Sequence, residues 1–187
     1  MVLRIGHRVP RDERVTTHVC LTARAFGADK VVIADAVDPQ IKETVEDVVE
    51  RFGGDFKVEM GPPWKAVVEE WLAAGGEVIH LTMYGVPLPA LIGKIRRSER
   101  DKLIVVGSEK VPGELFKLST YNVSVTSQPI SEVSALAVFL DWLFKGSELP
   151  KRFEGGRIRI IPSDRGKNVL REPRSSSRRL KKEGFRA

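Results

Sequence analysis

Three arginines at three-residue spacing, Arg8, Arg11 and Arg14, crowd the segment GHRVPRDERVTTH (Gly6 to His18), directly after a short apolar run. Guanidinium groups gathered in this way can hold phosphate bidentately, or can pair with the carboxylates of Asp12 and Glu13 beside them. Three other segments end apolar β-branched runs in small polar residues: EVIHLTMYG (Glu77 to Gly85), LIVVGSEKVPGELF (Leu103 to Phe116) and YNVSVTSQPISEVSALAVFL (Tyr121 to Leu140). Strand ends of this kind offer backbone amides and carbonyls to a small molecule at the carboxyl edge of an α/β sheet. Gly107-Ser108-Glu109 adds one carboxylate in a tight loop, a pattern that also fits a plain strand-to-loop turn with Glu109 in solvent.

Other chemistries lack their residues. The chain contains no GxGxxG, no GxxxxGK[ST] and no HExxH, so dinucleotide, P-loop and zincin chemistry have no warrant. His7, His18 and His80 are scattered, and a lone histidine on a strand, as His80 is, reads as a hydrogen-bonded core residue. The single cysteine, Cys20, excludes an intramolecular disulfide framework and a cysteine-built zinc site, so no metal is expected.

The elements that must position these residues alternate along the chain. Short apolar runs predict strands at Leu3 to Ile5, Val31 to Ala34, Phe56 to Val58, Val78 to Thr82, Leu103 to Val106 and Asn122 to Val125. Helical patterns lie near Val15 to Phe26, Ile41 to Phe52, Trp64 to Ala74, Leu88 to Arg97 and Val133 to Phe144. The result is an α/β chain with a mostly parallel sheet and helices on both faces. Only fourteen residues separate Val106 from Tyr121, interrupted by Pro112 and Gly113, so that connection must be unusual. The helix from Val133 is apolar nearly all round, which leaves greasy surface for a symmetric dimer to cover, unless a single domain encloses it.

After Pro150, GGRIRIIPSDRGKNVL (Gly155 to Leu170) alternates arginine and isoleucine around a turn near Ser163 to Gly166, the pattern of a β-hairpin. An apolar face would pack on the body while a basic face touches phosphate; a hyperstable surface hairpin is the alternative. The expected organisation is a domain over residues 1–150, a basic hairpin extension over 151–173 and a basic tail over 174–187.

Charge follows the same division. Residues 151–187 hold 13 Lys or Arg against 4 acids, whereas residues 1–150 hold 18 against 21, so the overall +6 is concentrated at one end. Such a segment suits a polyanion through counterion release; for Arg174 to Ala187 a solvated tail is the competing reading. At 187 residues and 42% hydrophobic, the chain builds one core. Two Asn and two Gln in a chain that is 30% charged suggest a protein that survives heat. No apolar run approaches the roughly 20 residues that span a bilayer, and no signal-peptide pattern opens the chain, so it reads as cytoplasmic, with no membrane partner.

LRIGHRVPRDERVTTHVCLTARAFGA (Leu3 to Ala28), HLTMYG (His80 to Gly85), VVGSEKVPGELF (Val105 to Phe116) and YNVSVTSQPISEVSALAVFLDW (Tyr121 to Trp142) together carry a resemblance. The chain resembles the SPOUT class of RNA methyltransferases, which use S-adenosyl-L-methionine (AdoMet), and within it the archaeal tRNA (cytidine-56) 2′-O-methyltransferase family. The resemblance implies a deep trefoil knot in the carboxyl half, a homodimer built around it, and AdoMet held by three loops. These correspond to Leu81; to Gly107, Ser108, Glu109, Lys110 and Val111; and to Val125, Thr126, Ser127, Gln128, Pro129, Ile130, Ser131 and Glu132. It further implies methyl transfer to the ribose 2′-hydroxyl of a T-loop cytidine in tRNA, assisted by an amino-terminal arginine. The family's usual Asn-x₅-Arg spacing places Leu21 where that arginine would fall, so Arg14 is the first candidate and Arg11 the second. Ser131 and Ser134 would orient substrate, or Ser131 would cap the last helix. Arg8 and the hairpin residues Arg157, Arg159, Arg165 and Lys167 would grip RNA. The alternatives are an RNA-binding protein without catalysis and a SPOUT enzyme acting on another RNA nucleotide.

Overall fold

The computed structural model describes residues 1–108 and 111–171. Six strands form one sheet: β1 (Val2–Ile5), β2 (Lys30–Ile33), β3 (Lys57–Met60), β4 (Glu77–Pro87), β5 (Lys102–Gly107) and β6 (Tyr121–Ser124). Their order is β3-β2-β1-β5-β4-β6 and every pairing is parallel. The helices are α1 (Glu13–Ala25), α2 (Pro39–Phe52), α3 (Trp64–Ala73), α4 (Leu88–Arg97), α5 (Gly113–Leu118) and α6 (Glu132–Phe144). A parallel sheet must be covered on both sides, and its strands are accordingly buried runs rather than half-polar ones. On one face Val2, Ile33, Ile104 and Val106 pack with Val19 of α1, Val45 of α2, Ile92 of α4 and Phe139 of α6. On the other, Leu3, Ile5, Val32 and Val105 pack with Val68 of α3 and Leu115 of α5.

Two departures from the expected elements matter for function. The short connection after β5 holds a six-residue helix, α5, begun at Pro112, and β6 then lands beyond β4 rather than beside β5. β4 continues past Thr82 to Pro87, because Leu81 and Val86 both sit opposite Val123 and the residues between them bulge out. The long apolar helix α6 buries Leu136, Phe139 and Leu140 but leaves Val138, Trp142 and Phe144 exposed in the single chain.

The carboxyl-terminal hairpin forms as anticipated, β7 (Ile158–Ile161) running antiparallel to β8 (Asn168–Arg171). The expectation that its apolar face packs on the body is not met, since Ile160 and its cross-strand partner Val169 are 58% and 42% exposed. The hairpin is held by its stem instead. Gly54 N donates to Glu154 O at 2.8 Å, and Arg24 donates to Gly53 O at 2.6 Å while its guanidinium stacks 4.3 Å over Phe153. Arg157 pairs with Glu50 of α2 at 3.1 Å. Gly53 has φ +85° and an added Cβ would lie 2.3 Å from Glu154 O. Gly53→Ala is therefore expected to push the stem off and lower stability by about 1–3 kcal/mol, with faster proteolysis of the hairpin. An unchanged Tm and digestion pattern would contradict that anchoring. The tail over 174–187 lies outside the described residues.

Candidate active site

The carboxyl ends of β4, β5 and β6 and the first turn of α6 enclose a cleft of about 460 Å³. Of the residues assigned from sequence, Leu81, Gly107, Ser108, Val111, Val125, Thr126, Gln128, Pro129, Ile130 and Glu132 line it. Ser127 and Ser131 are not among the lining residues, and Glu109 and Lys110 lie outside the described ones. Ser131 caps α6, its hydroxyl accepting from Val133 N at 3.2 Å. Sequence reasoning did not assign His80, Thr82, Met83, Tyr84, Val106, Phe116 and Ala135, which complete the wall. His80 to Tyr84 belong to the HLTMYG segment already singled out, so the signal was present at segment level.

His80 is fixed in one tautomer. Asn122 Nδ2 donates to Phe116 O at 2.9 Å, which turns Asn122 Oδ1 toward His80 Nδ1, also at 2.9 Å. Nδ1 therefore carries the proton and Nε2 remains an acceptor. Burial pushes the His80 pKa down, partly offset by the Asn122 bond, and Phe116 packs edge-on to the ring. The folded state thus disfavours the imidazolium relative to the unfolded chain, whose histidine titrates near 6.5. This contribution to stability is present above that pH and is lost as the pH falls below it. His80→Gln is expected to flatten the stability profile below about pH 6.5, as read by denaturant titration; an unaltered slope would remove His80 from that role.

Behind the cleft runs a buried polar chain. Arg4, wholly buried in β1, reaches Glu132 at 2.9 Å and Thr16 of α1 at 3.4 Å. Thr16 Oγ1 also meets His7 Nδ1 at 3.0 Å, and His7 Nε2 meets Asp38 at 3.2 Å. The carboxylate of Glu132 is thereby engaged from behind the cleft wall it lines. Cys20, buried nearby on α1, has its thiol pushed up to about 12 by burial and is inert.

The arginine segment begins at the cleft. β1 pairs with β5 through Ile5 and Gly107, Ser108 N donates to Ile5 O at 3.1 Å, and the Ser108 hydroxyl donates to Gly6 O. The three arginines then divide. Arg8 grips Asp12 through Nε at 2.8 Å and Nη2 at 3.0 Å, holding that carboxyl down to about 2. Arg11 precedes α1 and Arg14 sits in its first turn; both are exposed and, among the described residues, neither meets a carboxylate within ion-pairing distance. In the hairpin, Arg159 and Lys167 are exposed and Arg165 lies 3.6 Å from its neighbour Asp164. Helices return from the carboxyl to the amino edge of a parallel sheet, so a stem anchored at the ends of α1 and α2 sits at the edge opposite the cleft. One chain does not bring hairpin and cleft together.

The sheet order and the cleft define a class. The tRNA-modifying TrmH/SpoU enzyme of A. aeolicus superposes with a TM-score of 0.57 at 12% identity, covering 82% of this chain and 79% of that one. The SpoU methyltransferase AviRb of Streptomyces viridochromogenes, crystallised with AdoMet, gives 0.54 at 16% identity, covering 81% of this chain and 58% of that one. The fold is that of the SpoU-type RNA methyltransferases. Residues 52–170 match the family described as tRNA ribose 2'-O-methyltransferase, aTrm56. The tRNA (cytidine(56)-2'-O)-methyltransferase of Methanopyrus kandleri is 54% identical over 171 residues, 91% of this chain and 96% of that protein. The chain belongs to this tRNA ribose 2'-O-methyltransferase family.

Proposed function

We propose that the chain transfers the methyl group of AdoMet to the ribose 2′-hydroxyl of cytidine 56 in tRNA. The observation that carries the reading is the cleft at the carboxyl edge of β4, β5 and β6, in a chain of this family. Its volume of about 460 Å³ and its mixed lining fit the cofactor: Leu81, Val106, Val125 and Ala135 suit an adenine, and Ser108, Thr126 and Gln128 suit polar groups. Bound there, AdoMet supplies an electrophilic methyl group. The holding residues are Leu81, Gly107 through Val111, and Val125 through Glu132, with Glu109 and Lys110 in the set although outside the described residues. Ser131 acts through the helix cap and Glu132 through Arg4.

A ribose hydroxyl is a weak nucleophile near neutral pH, so the protein must position it and ease the loss of its proton. Arg14 does this, with Arg11 second, because these exposed guanidinium groups extend from a segment tied to the cleft. Arg8, Arg157, Arg159, Arg165 and Lys167 grip the RNA backbone, with 1–150 as the catalytic unit and 151–173 as a separate gripping extension. The exposed apolar residues of α6 support a homodimer, and the chain passing from β5 through α5 to β6 is the part that a deep trefoil knot would involve. Among the described residues no helix is long and apolar enough to cross a membrane, and a cytoplasmic enzyme fits a tRNA substrate.

The deciding experiment is methyl transfer from AdoMet to an unmodified tRNA transcript, digested to nucleosides and read by mass spectrometry. A 2′-O-methylcytidine mapping to position 56 supports the reading; tRNA binding without methylation or AdoMet binding returns the chain to a non-catalytic RNA-binding role. Replacing Arg159, Arg165 and Lys167 with glutamine is expected to weaken tRNA binding and to reduce the slope of log K against log salt by about one for each phosphate no longer neutralised. Unchanged affinity and slope would take the hairpin out of the interface.

A further inference from the structure

The bulge in β4 aims one aromatic side chain at the mouth of the cleft. Leu81 and Val86 share the partner Val123, so Thr82 to Gly85 leave the ladder and return to it at the same point. The excursion is tightly seated: Gly85 lies against β6, where an added Cβ would come within 2.6 Å of the Asn122 and Val123 backbone. Bulges beside active sites re-aim side chains. The one re-aimed here is Tyr84, which lines the cleft and is still 78% exposed. Phe116, the other Phe or Tyr on the cleft wall, is already committed, packing against His80 with ring centroids 4.8 Å apart.

We propose that Tyr84 is a stacking platform for the nucleobase of the nucleotide being methylated. A ribose presented to the cleft must leave its place in the folded RNA, and its base then loses its stacking neighbours. An exposed phenol ring at the mouth replaces them, recognising the base by its π-face and holding the attached ribose at the cleft. The inference rests on the tRNA methylation reading above.

The test compares wild type, Tyr84→Ala, Tyr84→Leu and Tyr84→Phe, each as the full chain, in steady-state methylation of tRNA. Binding of a tRNA carrying the fluorescent analogue pyrrolocytidine at position 56 is followed in parallel. Tyr84→Ala and Tyr84→Leu are expected to lower kcat/KM for tRNA roughly 10- to 100-fold and to abolish the quenching that stacking produces; Tyr84→Phe, which keeps the ring, rescues both. AdoMet affinity by calorimetry and sedimentation behaviour stay as in wild type. A Tyr84→Leu variant with wild-type kcat/KM would overturn the proposal. So would a parallel loss of AdoMet affinity, which would place the ring on the cofactor, or a changed oligomeric state, which would make it a subunit contact. A wild-type chain that methylates no tRNA sinks the underlying reading and Tyr84 with it; an active wild type beside an equally active Tyr84→Ala sinks the Tyr84 proposal alone.

Discussion

Arg14→Ala is expected to lower kcat for methyl transfer to tRNA by roughly 10²- to 10³-fold, with AdoMet affinity close to wild type. Arginine stays protonated at any working pH, so Arg14 does not act as a base. Its contribution is a fixed positive charge, aligned with the hydroxyl or the adjoining phosphate, that stabilises the oxygen as negative charge develops on it. Arg14 can supply this because it stands in the first turn of α1 with no carboxylate partner among the described residues, whereas Arg8 is engaged by Asp12. Arg11→Ala is expected to cost less, and chiefly in KM for tRNA. Single-turnover rates at saturating tRNA separate the two. A large loss in Arg11→Ala with none in Arg14→Ala would exchange their roles, and a loss confined to AdoMet binding would remove both from catalysis.

Glu132→Ala is expected to destabilise the fold by about 3 kcal/mol, a substantial part of a typical domain's total. Arg4 is wholly buried, and Glu132, at 2.9 Å, is the carboxylate that offsets its charge. Removing Glu132 leaves a buried cation with Thr16 at 3.4 Å as its side-chain hydrogen-bond partner among the described residues and the charge of Asp12 as a weaker offset, and burial already disfavours the charged guanidinium. The cost falls at the lower end for such pairs because Glu132 keeps some contact with solvent. Replacing both partners, Arg4→Met with Glu132→Leu, is expected to recover most of the loss, since an apolar pair of similar volume carries no desolvation penalty. Urea unfolding of the single and double variants checks this. A single-variant cost under about 1 kcal/mol, or no recovery in the double, would show that the pair is not what holds α6 against β1.

Much of the architecture was legible because it depends on short-range pattern. The runs at Val31 to Ala34 and Leu103 to Val106 have the length and β-branching of buried strands, and Gly75-Gly76 marks the end of α3, so the elements fall within a residue or two of their expected limits, apart from β4, which runs on to Pro87, and α5, which local pattern did not predict. The three strand ends were also readable, because the residues that close a strand are its neighbours in sequence; the cleft assembles from them.

What resisted reading depends on partners far along the chain. Arg4 between Leu3 and Ile5 signals a buried charge, yet nothing local names Glu132 as its counterion or Thr16 as its second partner. The alternation in Arg157 to Ile160 predicts a hairpin correctly but says nothing of its attachment, which the abutting backbones of Gly53 and Gly156 decide. The bulge that turns Tyr84 outward arises from a shared register partner on β6. By itself, then, the sequence determined the elements, the strand-end cleft and the charged hairpin, since hydrophobic periodicity and turn chemistry act over a few residues. Only the tertiary structure decided which arginines are spent in ion pairs, which carboxylate offsets Arg4 and where the hairpin stands, because those outcomes depend on distances between residues that chain spacing does not constrain.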